Sequence, residues 1–238
     1  MFDKIIKSII EKSGGSIDKI KLEKFMESIN HSFILTPWNY WLGVRILKNP
    51  LDLMILQEII FEKRPDTIIE CGTYTGGSSY YMAGLMDLMK IEGRIITIER
   101  EEYQTQAYPK TDLINMDGKV VPVDYDVYQT PIHPKIEYIH SDCLTVSMPK
   151  LGSRTMVVLD CDHSADHVYK ELQKFSSLVT LGQYIIVEDT DAYREEGGGP
   201  ANAVRKFLKN NKNFIVDKSR EKYGISSNLG GYLLRVSK

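Results

Sequence analysis

Along most of the chain, short blocks of consecutive apolar residues alternate with stretches in which apolar residues recur every three to four positions. The blocks are the pattern of strands buried on both faces, and the three-to-four spacing is the pattern of helices with one buried face. Strands are predicted at Thr67-Ile68-Ile69-Glu70, Arg94–Glu99, Ile136–Ile139, Met156–Asp160 and Tyr184–Asp189. Helices are predicted over 51–63, before Arg64-Pro65, over 78–90, and from Ser164 to a stop at Gly182. Pro200 opens a further helix to about Asn211, consistent with proline at a first helical position. Phe214–Val216 and Tyr232–Val236 then follow with no helix between them. This order specifies an α/β domain: a doubly wound, mostly parallel sheet covered on both faces, with an antiparallel pair at its C-terminal edge.

Two stretches depart from the pattern. Residues 1–50 read as an N-terminal helical extension of the domain at 51–238. Phe2, Ile5, Ile6, Ile9 and Ile10 share one helical face. After a break at Gly14-Gly15 and a cap at Ser16, so do Ile17, Ile20, Leu22, Phe25, Met26 and Ile29. Those stripes are expected to bury against the domain or in a homo-oligomer contact. Pro37-Trp38-Asn39-Tyr40-Trp41 holds both tryptophans, and clustered aromatics either plug a core or line a pocket. The stretch Glu101–Pro134 fits no period and reads as a long loop or cap of the kind that carries function.

Composition narrows the class. The chain has 238 residues, 42% hydrophobic and 26% charged, as expected of a globular domain. Thirty basic against thirty-two acidic side chains leave a charge of -2, which argues against a nucleic-acid partner. No apolar run approaches the ~18 residues of a membrane span, and the N-terminus carries no leader pattern, so a cytoplasmic enzyme is expected. Three cysteines without a C-x-x-C suggest reduced thiols rather than a disulfide frame or a zinc site, an expectation read from spacing alone.

Ligands of such sheets gather at the carboxyl ends of the strands. There the first strand runs into Glu70-Cys71-Gly72-Thr73-Tyr74-Thr75-Gly76-Gly77-Ser78-Ser79. Gly72 allows close backbone approach, and Gly76-Gly77 open the next helix without obstruction. The spacing is not the dinucleotide G-x-G-x-x-G, and an acid at the strand end suits a zwitterionic, sugar-bearing ligand. Glu99 closes the second strand, followed by Arg100, where a carboxylate can accept from ribose hydroxyls. Ser141-Asp142-Cys143 follow the third, where an adenine amino group would be met. Candidate cofactor residues are therefore Glu70, Gly72, Thr73, Tyr74, Gly77, Ser78, Glu99, Arg100, Ser141, Asp142, Cys143 and Asp160. Asp160 closes strand four, and Glu188-Asp189 close strand five. Three carboxylates this close would not ionise together without a cation, and oxygen donors favour Mg²⁺. Asp160, Glu188 and Asp189 are the expected ligands, with Asp162 an alternative to Asp160.

Several of these pieces together resemble one family. Trp41-Leu-Gly-Val, Lys48-Asn-Pro-Leu-Asp52, Gln57, Ile69–Ser79, Leu159-Asp-Cys-Asp-His-Ser164, Val187-Glu-Asp-Thr190 and Gly199–Val204 are similar to cephalosporin hydroxylases and rhamnosyl O-methyltransferases. These belong to the Rossmann-like class I S-adenosylmethionine (SAM)-dependent methyltransferases, and the likeness spans some four-fifths of the chain. The resemblance implies SAM and Mg²⁺ as cofactors and a small-molecule or glycan hydroxyl as acceptor. A broader likeness to catechol O-methyltransferases places the general base three residues after the first metal ligand. That position is His163, which with Asp160 makes the expected catalytic pair. Acceptor selectivity is expected from Trp38, Trp41 and the 101–134 segment. The rival readings are a hydroxylase or oxidoreductase and a non-catalytic SAM-binding subunit.

Overall fold

The computed structural model describes residues 39–100, 113–114, 120–121, 133–190 and 199–237. The expected N-terminal helices, Trp38 and most of the 101–134 segment lie outside the described residues, and so does any oligomer contact made by those helices. Two short strands within that segment, β5 (Leu113–Ile114) and β6 (Val120–Val121), pair antiparallel.

The described chain begins with β1 (Tyr40–Trp41) and β2 (Val44–Arg45), an antiparallel pair. Leu42 and Gly43 between them both have positive φ, 49° and 84°, as a two-residue primed hairpin turn requires. Then come α1 (Pro50–Lys63), β3 (Thr67–Cys71), α2 (Gly77–Leu88) and β4 (Arg94–Glu99). After β5 and β6 follow β7 (Ile136–His140), β8 (Thr155–Leu159), α3 (Ala165–Phe175) and β9 (Tyr184–Val187). The chain closes with α4 (Gly199–Asn210), β10 (Phe214–Val216), a 3-10 turn at Lys218–Glu221 and β11 (Tyr232–Arg235). The main sheet has seven strands in the order β10-β11-β9-β8-β3-β4-β7. Neighbours from β9 to β7 pair parallel, and β11 runs antiparallel to both β9 and β10. The C-terminal antiparallel edge expected from the sequence is therefore present.

Successive strand residues point to opposite faces, so each all-apolar block feeds two cores. Ile68, Ile95, Met156 and Ile186 meet Ile55, Ile59, Met82 and Met86 of α1 and α2. Ile69, Ile96, Val157 and Ile185 meet Val168, Leu172, Phe175, Ala203, Val204 and Phe207 of α3 and α4. Trp41 joins the first core: its ring lies edge-on 4.9 Å from Tyr81, and a Cβ at Gly84 would sit 3.2 Å from its Nε1. The open reading of Trp41 thus resolves toward packing.

Residues 40–45, expected within the N-terminal helical extension, form the β1–β2 hairpin instead, because Leu42 and Gly43 take the positive φ of a tight turn. Among the later elements, one helix end shifts most. The helix begun at Ser164 ends at Phe175, not at Gly182. Ser176 and Ser177 turn their hydroxyls back onto the carbonyls of Gln173 and Lys174, which competes with helix continuation. Arg235 of β11 then donates to the carbonyls of Ser176 and Val179, capping the end from another element. Gly182 (φ 81°) serves the turn into β9.

Candidate active site

The parallel strands end on one edge, and a cavity of about 330 Å³ opens there against residues 46–48. Gly72, Thr73, Tyr74, Gly77, Ser78, Glu99, Asp160, His163 and Asp189 line it, with Lys48 and Cys161. Nine of the residues singled out from sequence are thus brought to one cavity.

The glycine turn has a backbone reason beyond ligand approach. Gly72 has φ 92°, and a Cβ there would lie 2.1 Å from the backbone oxygen of Asp160. A Cβ at Gly77 would lie 1.9 Å from the Arg45 carbonyl oxygen. These glycines let β8 and the β1–β2 hairpin press against the turn and form the cavity wall. Tyr74 at the tip has φ 48°, a conformation rare for a bulky residue and held here from outside. Glu99 supplies the hold. Its Oε2 accepts from the amides of Thr73 at 3.1 Å and Tyr74 at 3.2 Å, and its Oε1 from the Arg100 amide at 2.8 Å.

Glu70 lies beneath the turn rather than in the cavity. It is fully buried and accepts hydrogen bonds from Ser78, Ser79 and Thr97, tying β3 to the start of α2 and to β4. Burial pushes its carboxyl above the usual range. Arg100, Ser141, Asp142 and Cys143 also stand outside the cavity lining. Arg100 is exposed and accepts from His140 through its carbonyl. The Ser141 amide continues the ladder onto Glu99, Asp142 caps its own turn through the Leu144 amide at 2.7 Å, and Cys143 is buried.

The acidic end is more ordered than the sequence suggested, because a lysine is built into it. β8 and β9 stop one residue before the acids, yet the amides of Asp160 and Glu188 still bond Cys71 and Leu159 across the sheet. Asn49 caps α1 through the Leu51 amide, and this fixes Lys48 just ahead of the helix. Its ammonium donates to Asp160 Oδ2 at 2.8 Å and to Glu188 Oε2 at 2.5 Å. Burial works against the Lys48 charge, but Asp160 and Glu188 outweigh it and raise its pKa. Burial likewise works against the Asp160 carboxylate, and Lys48 and His163 hold it below the usual range. Among the described residues Glu188 is partnered by the lysine it shares with Asp160, and burial keeps its carboxyl well above the usual range. Asp189 is pushed up to about 6 by burial and by the Asp160 charge. It sits at φ 54°, its amide held by Asn228 Oδ1 at 3.1 Å. Asn228 and Lys48 were both missed from sequence. Lys48 stood in a recognisable motif, but only its burial reveals a charge partner.

His163 Nε2 lies 3.5 Å from Asp160 Oδ1 and 3.4 Å from Asp189 Oδ2. Asp160, His163 and Asp189 each offer a ligand atom within 4.8 Å of the others. The two carboxylate oxygens suit a small divalent cation with the imidazole beside it, and such a charge would relieve the crowding that raises Asp189. Glu188 faces Lys48 instead, and Asp162 caps its own turn through the Ser164 amide at 2.7 Å. Of the two aspartates left open by sequence, Asp160 is the one grouped with Asp189.

The strand order, with a single reversed strand beside an edge, and a glycine turn beneath a cavity at the strand ends define a Rossmann-like class I methyltransferase fold. A structure of CmcI with Mg and SAM shares it, with a TM-score of 0.62 and 22% identity over 84% of this chain and 77% of that one. A CmcI structure with S-adenosylhomocysteine (SAH) gives 0.58 and 23%, over 84% and 83%. The family model "Rhamnosyl O-methyltransferase/CmcI" matches residues 36–236, and the chain belongs to that family. Similar sequences include the rhamnosyl O-methyltransferase of Mycobacterium tuberculosis, 26% identical over 202 residues (82% of this chain, 77% of the relative). That of Mycobacterium leprae is 24% identical over 207 residues, 83% and 84% of the two chains.

Proposed function

We propose that the chain is a SAM-dependent, Mg²⁺-assisted O-methyltransferase acting on a hydroxyl of a sugar, surface glycan or natural-product scaffold. The observation that carries this reading is a single cavity whose walls unite the Gly72–Ser78 turn, Glu99 and the Asp160–His163–Asp189 group. Family membership and the named activity of the rhamnosyl O-methyltransferases support the reaction, and the CmcI complexes with Mg, SAM and SAH support the cofactors.

When bound, SAM supplies an electrophilic methyl group and Mg²⁺ lowers the pKa of a hydroxyl. The chain's own groups would divide the remaining tasks. The turn and Glu99 hold the cofactor's amino-acid and ribose ends. Asp160 and Asp189 would hold the cation, and Lys48 keeps Asp160 ionised and in place. His163 faces the cavity and would take the acceptor's proton at Nε2. Burial lowers its pKa, but the Asp160 partner prevails and raises it above 6.5. The base form therefore grows as pH rises. Much of the acceleration would come from aligning methyl and oxygen in a rigid cavity. Two carboxylates with one neighbouring histidine do not make the two-histidine, one-carboxylate set of iron oxygenases, which supports transfer over hydroxylation. The test is incubation of the full chain with SAM, Mg²⁺ and a panel of rhamnosyl and other hydroxylated acceptors. SAH formation that stops with EDTA supports the reading, and SAH formation indifferent to EDTA contradicts the metal.

A further inference from the structure

All three cysteines of the chain, Cys71, Cys143 and Cys161, converge beneath the active-site edge on Glu171 of α3. They come from the end of β3, the loop after β7 and the loop after β8, far apart in sequence. The ligand atoms of Cys71, Cys143 and Glu171 lie within 4.8 Å of one another, and so do those of Cys161, His167 and Glu171. The Cys161 thiol donates to Glu171 Oε1 at 3.0 Å and lies 3.5 Å from His167 Nε2. Glu171 is 0% exposed, and its second oxygen, Oε2, is buried without a hydrogen-bond partner among the described residues.

Buried cysteines alone would be ordinary small apolar fillers. A fully buried carboxylate with an unmatched oxygen among three thiols is not explained that way, because an uncompensated charge is costly to bury. Burial pushes the Glu171 carboxyl up to about 7 and the Cys71 thiol up to about 12. A divalent ion at the centre would reverse both and satisfy the orphan oxygen.

We infer that Cys71, Cys143, Cys161 and Glu171 form a second, thiolate-rich site for a soft divalent ion of the Zn²⁺ type, distinct from the Asp160–His163–Asp189 group. Thiolates select such an ion over Mg²⁺. Tetrahedral Zn²⁺ takes bonds of about 2.3 Å to sulfur and 2.0–2.2 Å to oxygen, so the two triads would draw together around the Glu171 they share. Each ligating thiol releases its proton to solvent on binding, leaving a thiolate on the ion. His167 then hydrogen-bonds Cys161 from outside the donor set. Four protein donors make a closed, structural site that clamps β3 to the loops after β7 and β8 and fixes Cys161 next to Asp160. Entry is from the cavity, which Cys161 lines. This assignment does not depend on the proposed activity.

The test uses the full chain, reduced and stripped with a chelator, then dialysed against equimolar Zn²⁺ or Co²⁺ in excess Mg²⁺. The expected result is one tightly held ion per chain, retained in Asp189→Asn, with thiolate-to-cobalt charge-transfer absorption in the Co²⁺ form. Cys143→Ser, which removes one of three thiolates, should lower that absorption by at least about a third. Glu171→Gln, which keeps the shape, should weaken retention by about tenfold or more, and it decides the matter if the serine variant fails to fold. The proposal is overturned if no ion is held. It is equally overturned if the ion survives Glu171→Gln but is lost in Asp189→Asn without thiolate absorption.

Discussion

Lys48 Nζ lies 2.8 Å from Asp160 Oδ2, joining a residue ahead of α1 to the end of β8 across 112 positions of sequence. The same ammonium reaches Glu188, so a buried and a half-buried carboxylate share one buried cation. Removing one member of such a pair leaves charge without compensation. Lys48→Met should cost on the order of 3–5 kcal/mol at neutral pH. Without the ammonium, Asp160 and Glu188 take up protons in the folded state at pH values where the unfolded chain has lost them. Stability of the variant then falls as pH rises. Urea unfolding at pH 5 and pH 8 should show a larger deficit at pH 8, and an equal deficit would mean that the two carboxylates are not loading the lysine.

Gly72→Ala and Gly43→Ala separate backbone strain from collision. Both residues have positive φ, 92° and 84°, but a Cβ at Gly43 meets nothing within 4 Å whereas one at Gly72 meets the Asp160 backbone. Gly43→Ala should cost about 1–2 kcal/mol, the usual strain of a left-handed alanine. Gly72→Ala should cost more than ~3 kcal/mol, since two strand ends must separate. Thermal unfolding of the two variants makes the comparison, and similar losses would show that the strand ends give way easily.

His163→Ala should lower the methyl-transfer rate by ~10²–10⁴ while SAM affinity is retained. In the wild type the rate should climb as rising pH deprotonates the imidazole, whose pKa the Asp160 partner raises against the pull of burial before the cation binds. The variant should lose that limb and regain part of its rate at high pH. A wild-type profile flat from pH 6 to 9 would exclude the imidazole as the base.

The sequence made the sheet legible because its strands are buried on both faces. Ile68-Ile69, Ile95-Ile96 and Ile185-Ile186 each feed the two cores, which leaves an unbroken apolar signature. Strand order then placed Glu99, Asp160 and Asp189 on one edge. What stayed hidden depends on partners distant in sequence. Glu70 looks like a ligand residue until Ser78, Ser79 and Thr97 are seen to enclose it. Lys48 carries no sign in the sequence of its buried charge partners, and α3 ends early because Ser176 and Ser177 bond back onto it and Arg235 takes up carbonyls just beyond it. The β1–β2 hairpin was missed because Leu42 is an unusual residue at positive φ.

Glu171 gives stability a pH dependence of its own in the metal-free protein. Burial raises its carboxyl from 4.5 to about 7. Between those values the folded state holds a proton that the unfolded chain has released, so stability drops as pH rises across the window. The full penalty, on the order of 3 kcal/mol, is present above pH ~7. Glu171→Gln should therefore gain on the wild type steadily from pH 4.5 to 7.5 in chemical denaturation. A constant difference would place the Glu171 carboxyl in its ordinary range.

The central claim is that the cavity between the Gly72–Ser78 turn and Glu99 binds the adenosyl cofactor. Calorimetric titration of the full chain with SAH tests it most directly. One site per chain is expected, with binding weakened by about 2–4 kcal/mol in Glu99→Ala, which loses charge-assisted hydrogen bonds at the turn. Much of the affinity should survive removal of Mg²⁺. Absence of binding in the wild type, or unchanged affinity in a folded Glu99→Ala, would contradict the account.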